Sequence, residues 1–378
     1  NIISNNITSG YGGTGGISIS GSGVITGNTI SGNVGHDGGG ISASGSLIIS
    51  DNTIENNKAG RYEEHSWGNE FRLDGEGGGI RSRSSTVQIL DNIIKGNQAE
   101  SGGGIAGGGT ITGNTIMGNY ASSSGGGFSD HDHGSGTFTN NFVLNNSANS
   151  YGGGIYLRGH EGIDVVTGNI IAGNTSSNNG AAIYYRRGDG NSDHVDYVSN
   201  NTIFNNTGPS LIYHYCFTDN VLEMKGNTIV GNSVTGDYAV LLENHPSYDN
   251  GKIVFSNNNI YDNGGTYELS NQSALGTADL NAESNYWGAS DASVIASKVH
   301  DWNDDSSYGF VDYTPHETAL ITSNPIAPPS GVSGQAGPTT MQLSWTANSE
   351  SDIAGYKVYY DTDGSGYPYA NSVSTGST

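Results

Sequence analysis

The sequence reads as all-β: a solenoid of about eleven stacked parallel coils with a C-terminal cap, then the first strands of a β-sandwich. Three observations lead there. A phrase apolar-x-x-Asn-x-apolar recurs from Ile2/Asn5/Ile7 through Ile25/Asn28/Ile30, Ile49/Asn52/Ile54 and Ile89/Asn92/Ile94 to Phe255/Asn258/Ile260, with a degenerate eleventh copy at Ala282/Asn285/Trp287. Nine copies are closed by a second asparagine: Asn33, Asn57, Asn97, Asn119, Asn146, Asn174, Asn206, Asn232 and Asn263. Glycine runs such as Gly152-Gly153-Gly154-Ile155 open the units, and copies lie 22 to 40 residues apart, the variation falling between the two phrases. Fixed phrases joined by elastic turns at that period mark a stacked repeat.

Each copy carries two or three apolar residues set among Gly, Asn, Ser and Thr. These are poor helix formers, and no i, i+3, i+4 stripe persists, so short strands are expected. A single coil buries too little to offset the backbone entropy it fixes, and stability must come from stacking. Repeated asparagines at one turn position can then form an amide ladder, and the asparagine is also expected to take the left-handed backbone of the corner.

The paired phrases G-G-G-I and I-x-x-N resemble the right-handed parallel β-helix repeats of bacterial surface proteins. They are similar to the GGAI and FxxN repeats of chlamydial polymorphic membrane proteins, over roughly residues 1 to 320. The resemblance implies right-handed coiling and a secreted or cell-surface setting. It spans adhesins, polysaccharide lyases and periplasmic accessory proteins, so it selects no single activity.

Along the chain, residues 1 to 57 hold the plainest coils. The chain opens inside a repeat, and upstream residues are expected. The longest insertion, 58 to 76, gathers Arg61, Tyr62, Glu63, Glu64, His65, Trp67, Glu70, Phe71, Arg72 and Asp74. Long loops in a repeat fold tend to serve function.

Strand alternation sorts the residues after each glycine run. If the aliphatic residue points inward, the first and third residues after it point outward. The outward pairs include Arg81 and Arg83, Ser129 and His131, Tyr156 and Arg158, Tyr184 and Arg186, Tyr213 and Tyr215. Four of seven arginines in a strongly acidic chain thus share one face with tyrosines and a histidine. Guanidinium groups grip carboxylate or sulfate, and tyrosine offers a flat ring with a hydroxyl tip. The strip, with Trp67 beside it, is expected to bind an extended anionic polysaccharide, with mutual stacking of Arg and Tyr as the structural alternative. Acidic turns give weak calcium candidates at Asp130, Asp132, Asp189 and Asp193.

The solenoid is expected to end at Ser284-Asn285-Tyr286-Trp287-Gly288, which resembles the N-Y-W-G closing signature of bacterial β-helix proteins, with Trp287 sealing the core. A helix over 291–299 capped by Ser290, with Val294, Ile295 and Val299 on one face, and a strand at 309–313 complete the cap at about 284–320. The solenoid with its cap thus spans 1–320. A Pro-rich linker, 321–332, follows. Residues 333–378 then alternate as strands, and Trp345 with the Y-x-V-Y-Y run from Tyr356 resembles the opening half of a fibronectin type III domain.

Lys plus Arg number 13 against 36 Asp plus Glu, a net charge of −23, which disfavours nucleic acid as a partner. The single cysteine, Cys216, excludes an internal disulfide and is expected to be a small buried residue. No signal peptide or membrane span is evident. The functional expectation is an extracellular module that binds polysaccharide or cell-surface glycan, or acts as adhesin or spacer. The alternative is a lyase acting on uronates through Arg158, Arg186, His131, Tyr184 and Tyr215. Whether the chain is an enzyme stays open at this point, as does calcium.

Overall fold

Where the sequence repeats its phrases, the backbone repeats its strands. The computed structural model describes residues 1–65, 68–130, 136–158, 163–187, 195–216, 221–244, 253–273, 279–348, 350, 353–362 and 369–375. Two units result, Asn1–Asn324 and Pro325–Thr378. The first is a parallel β-solenoid of about ten turns.

One coil shows the plan. A face strand, Ile155–Leu157, follows the glycine run, and a return strand, Ile163–Thr167, leads to the first asparagine corner. A core strand, Ile170–Ala172, joins the two corners, and a short strand, Thr175–Ser176, leads to the next glycine run. Each pairs in parallel with its counterpart one coil on: Ile155 with Ile183, Val166 with Val198, Ile171 with Ile203 and Thr175 with Thr207. Face and return ladders merge at the N-terminal end, where Ile17–Thr26 and Ile41–Ser50 run unbroken through both.

Three inward columns fill the interior. They are headed by Ile41 and Ile80 on the face strands, Ile49 and Ile89 on the return strands, and Ile54 and Ile94 on the core strands, all fully buried. Where Phe replaces Ile, Phe128 and Phe138 meet across one coil at 4.9 Å between centroids. The glycine run exists because neighbouring coils touch there. A Cβ on Gly40 would lie 2.5 Å from the Gly79 carbonyl oxygen. Later coils accept Ala181 and Ala182 at these positions, both fully buried.

Both asparagine columns are continuous ladders. Asn146 is typical: its Oδ1 accepts from Asn119 N (2.9 Å) and Asn119 Nδ2 (3.0 Å), while its Nδ2 donates to Asn174 Oδ1 (3.0 Å) and Ile116 O (2.9 Å). The fully buried Asn146 side chain thereby has both its amide hydrogens and its oxygen satisfied. Two expectations need correction. The left-handed residue is not the ladder asparagine but the one before it: Asp51, Asn56, Asp91, Asn140, Asn145, Asn200, Asn205, Asn257, Asp262 and Ser284 all have φ of 54–57°. The ladder amide needs ordinary backbone to reach along the stack, so its neighbour takes the corner. The first copy is also displaced. Asn1 and Asn6, not Asn5, bond to Asn28 and Asn33 at 3.1 and 2.8 Å, and Asn5 takes the left-handed corner.

At the far end Trp287 is fully buried, 6.3 Å from Phe255 between centroids, and Asn285 Oδ1 still accepts from Asn258. The cap helix is shorter than expected, Ala292–Ala296, and is capped by Asp291, not Ser290. Five residues make little more than one turn, which cannot bury three side chains. Ile295 is buried, Val294 is exposed, and Val299 lies in the strand Val299–His300. Residues 321–324, expected as linker, belong to the solenoid: Ile321 N donates to Asn259 Oδ1 at 3.0 Å and Asn324 Nδ2 to Asn257 O at 2.8 Å. The second unit holds two antiparallel pairs, Ser330–Ala336 with Met341–Thr346 and Tyr356–Tyr360 with Asn371–Thr375, bridged by Trp345 against Tyr356. Among the described residues no helix is long and apolar enough to cross a membrane.

Candidate functional site

The face ladder sets the register of the site. Ile80, Ile105, Phe128, Ile155, Ile183, Ile212 and Val240 pair in sequence and point inward. The next residue of each strand therefore forms an outward column in which Tyr156, Tyr184 and Tyr213 are consecutive. Tyr156 and Tyr184 lie 5.0 Å apart between centroids at 15°, and Tyr184 and Tyr213 5.0 Å apart at 26°. Tyr151, from the turn before the glycine run, packs on Tyr184 at 4.6 Å. Tyr215 lies 6.4 Å from Tyr213.

This stacking uses up the ring faces. Tyr156 and Tyr184 are each only 6% exposed, so they offer edges and hydroxyls rather than flat platforms. Burial raises the pKa of Tyr156, Tyr184 and Tyr213, and Tyr213 is raised further because its hydroxyl donates to Glu243 Oε2 at 2.7 Å. These hydroxyls stay protonated at neutral pH and act as hydrogen-bond donors.

Toward the N-terminal end the same face opens into a cleft of about 490 Å³ lined by His36, Asp37, Asp74, Glu76, Arg81, Glu100, Ser101, Ser123, Ser124, Tyr156 and Arg158. Arg81 is its floor. Its Nη1 lies 3.2 Å from Asp37 Oδ1 and 2.5 Å from Glu76 Oε2, while Arg83 Nη2 lies 2.6 Å from Asp37 Oδ2. Burial lowers the pKa of Arg81, against the opposing pull of Glu76 and Asp37, but a guanidinium stays charged at any ordinary pH. The insertion supplies one wall. Arg61–His65 and Gly68–Arg72 form a β-hairpin closed by Tyr62 against Phe71, and Arg61 Nε bonds Asp74 Oδ2 at 2.7 Å. Glu100 and Arg158 are exposed where the cleft meets solvent.

The arginine strip expected from the sequence is therefore altered. Arg81 and Arg83 are on the face strand as that register requires, and turn carboxylates pair with both. Arg186 stands in register with Tyr215, and Tyr215 with Glu243. Asp130, a calcium candidate, is 1% exposed, and its Oδ1 accepts the Arg158 backbone N–H, a structural role. Trp67, His131, Asp132, Asp189 and Asp193 lie outside the described residues. Among the described residues no group of His, Cys, Asp and Glu is arranged to hold a metal ion.

Sequence reasoning missed Asp37, Glu76 and Tyr151. Each stands immediately before its glycine run, four residues before the inward aliphatic residue, and the parallel bridge between Asp37 and Glu76 shows that this position is itself a column. Its signal was present: the residue preceding the run is Asp, Glu, Ser, Ser and Tyr over five successive coils.

Comparison with curated proteins returned no match, and comparison with solved structures returned none. A protein-family model described as "Right handed beta helix region" matches residues 1–143, which hold the insertion hairpin and most of the cleft and which form parallel coils in the structure.

Proposed function

We propose that this chain is a non-enzymatic carbohydrate-binding module, working outside the cell, that holds an uncharged polysaccharide in the cleft above Arg81. The observation that carries this reading is the pinning of Arg81 between Asp37 and Glu76 on the floor of a roomy polar cleft. Carboxylate oxygens accept sugar hydroxyl hydrogens, and guanidinium N–H groups donate to sugar oxygens. Pairing the two fixes both kinds of partner while cancelling their charge. Ser101, Ser123 and Ser124 add hydroxyls, and the Tyr156 edge adds apolar surface. A net charge of −23 and the pairing of Arg81 and Arg83 with carboxylates favour a neutral chain over the anionic glycan expected from the sequence.

The lyase alternative gains no support from the described residues. A tyrosine base would need its hydroxyl pushed down toward neutral pH, whereas burial pushes that of Tyr184 up. Affinity electrophoresis through gels of neutral and of uronate-rich polysaccharides tests the proposal. Retardation is expected in a neutral gel only, and Arg158→Ala or Glu100→Ala should weaken it about tenfold, the effect of losing one charged hydrogen bond of about 1.4 kcal/mol. Retardation by uronate chains alone, or variants that migrate like the parent, would refute it.

A further inference from the structure

The outward column of the face ladder does not stop where the cleft does. Tyr156 lines the cleft and also begins the stack of rings, so Tyr184 and Tyr213 carry the same face one and two coils further along the solenoid. Their hydroxyls are not equivalent. That of Tyr156 accepts from Arg158, and that of Tyr213 donates to Glu243 Oε2 at 2.7 Å. The Tyr184 hydroxyl, between them, has no hydrogen-bond partner among the described residues, although the residue is only 6% exposed. Folded chains leave few polar groups in that state, and each one calls for a reason.

The packing of Tyr184 suits a waiting donor. Its ring is held by Tyr151, Tyr156 and Tyr213, and burial keeps its hydroxyl protonated. Its oxygen is not one of the enclosed polar atoms that lack a partner, so the hydroxyl reaches the surface. The other parts of a sugar subsite stand around it. Tyr151 is 36% exposed and packs on Tyr184 from the turn, offering apolar ring surface to a sugar's C–H edge. Half-buried Glu243 binds Tyr213 through one carboxylate oxygen, which leaves the other as an acceptor for a sugar hydroxyl.

We propose that Tyr184 is the donor of an outlying sugar subsite, reached by a neutral polysaccharide that leaves the cleft and continues along the solenoid axis past Tyr151 toward Glu243. The subsite rests on the reading of the cleft as a carbohydrate site, and the direction of the cleft supports it. Asp37, Glu76, Ser101 and Ser124 line the cleft from four successive coils and pair in register, a run of about 14 Å at roughly 4.8 Å per coil. The next member of that turn column is Tyr151, through the bond from Gly125 N to Tyr151 O at 3.0 Å. A ligand lying along the cleft is therefore already aimed at Tyr151, with Tyr184 beside it.

Isothermal titration calorimetry on the full chain tests this, using neutral oligosaccharides graded from disaccharide to decasaccharide and cut from the polysaccharide that retards the chain. Affinity should climb with length in two stages, first as the cleft fills and again, by about tenfold, when the ligand reaches Tyr184 and gains its hydrogen bond. Tyr184→Phe removes the hydroxyl and keeps the ring stack, and it should erase the second stage alone. Tyr151→Ala should do the same by removing the apolar surface. Affinity that stays level beyond the length filling the cleft overturns the subsite and leaves the cleft reading standing, as does a second stage that survives Tyr184→Phe. Binding at no length removes the cleft reading, and the subsite falls with it.

Discussion

Asn146→Ala tests whether the amide ladder holds the solenoid together. The side chain is fully buried and makes four hydrogen bonds. Truncation strips two buried donors of their acceptor, the Asn119 backbone N–H and one Nδ2 hydrogen of Asn119, whose other hydrogen keeps Ile94 O. At about 1–3 kcal/mol for each buried group left unpaired, the two donors alone predict a loss of about 2–6 kcal/mol. Urea unfolding followed by far-ultraviolet circular dichroism measures it. Because coils couple only to their neighbours, the loss should lower the midpoint or split the transition near this coil. Asn145→Gly is the control. Asn145 is exposed at φ 54°, a conformation glycine adopts without strain, so stability should change by less than about 1 kcal/mol. A loss below about 1 kcal/mol for Asn146→Ala would refute the reasoning, as would equal losses in the two variants.

Two further outcomes follow from charges at the ends of the face. Glu268 ends the second ladder, accepting Asn263 Nδ2 at 2.7 Å with Lys298 Nζ at 3.8 Å, and burial raises its pKa above 4.5 despite both. The folded state therefore holds this proton more tightly than the unfolded chain. The stability it lends is fully present below pH 4.5 and is lost as pH climbs through the raised folded value. Glu268→Gln keeps an acceptor for Asn263, so it should flatten that slope and raise the neutral-pH unfolding midpoint; an unaltered slope contradicts this. Arg81→Ala leaves Asp37 and Glu76 facing each other over a side chain only 12% exposed, and thermal denaturation should show a loss of roughly 3 kcal/mol. Arg83→Ala removes a side chain 39% exposed and should cost less than about 1 kcal/mol; similar costs for the two would deny Arg81 its place on the floor.

The solenoid was legible because its rules are local and repeated. An inward aliphatic residue, a glycine run where coils touch, and an asparagine at each corner recur often enough for register to be set by inspection, and Ile155, Ile183 and Ile212 pair as that register requires. What the sequence hid was which member of each corner does which job. In a pair such as Asn145-Asn146 both residues are asparagine, and only the phrases reading Gly-Asn or Asp-Asn separate the left-handed residue from the ladder residue. Asn5-Asn6 is ambiguous in the same way, which is how the first copy slipped by one position. The cap helix was over-read because apolar spacing alone cannot say where a chain turns back. Val299 fits a helical face by count, yet pairs as a strand with Leu269.

The site was half legible for a different physical reason. Alternation along one strand orders side chains up and down the sheet but is silent about their lateral neighbours, which come from the turn leading into the strand, on the same coil and on the one before it. The outward arginines were found, while the acids beside them were not, although Asp37 and Glu76 stand only four residues before the inward Ile41 and Ile80. Those four residues are three glycines and one acid, a tight turn that folds the carboxylate back over the start of the strand and onto Arg81. The charge of a solenoid face is thus set by two columns at once. Where the turn column supplies Tyr151 instead of an acid, the outward column answers with Tyr184, and the cleft of ion pairs passes into a stack of rings. One face of the solenoid therefore changes from ion pairs to stacked rings along its length.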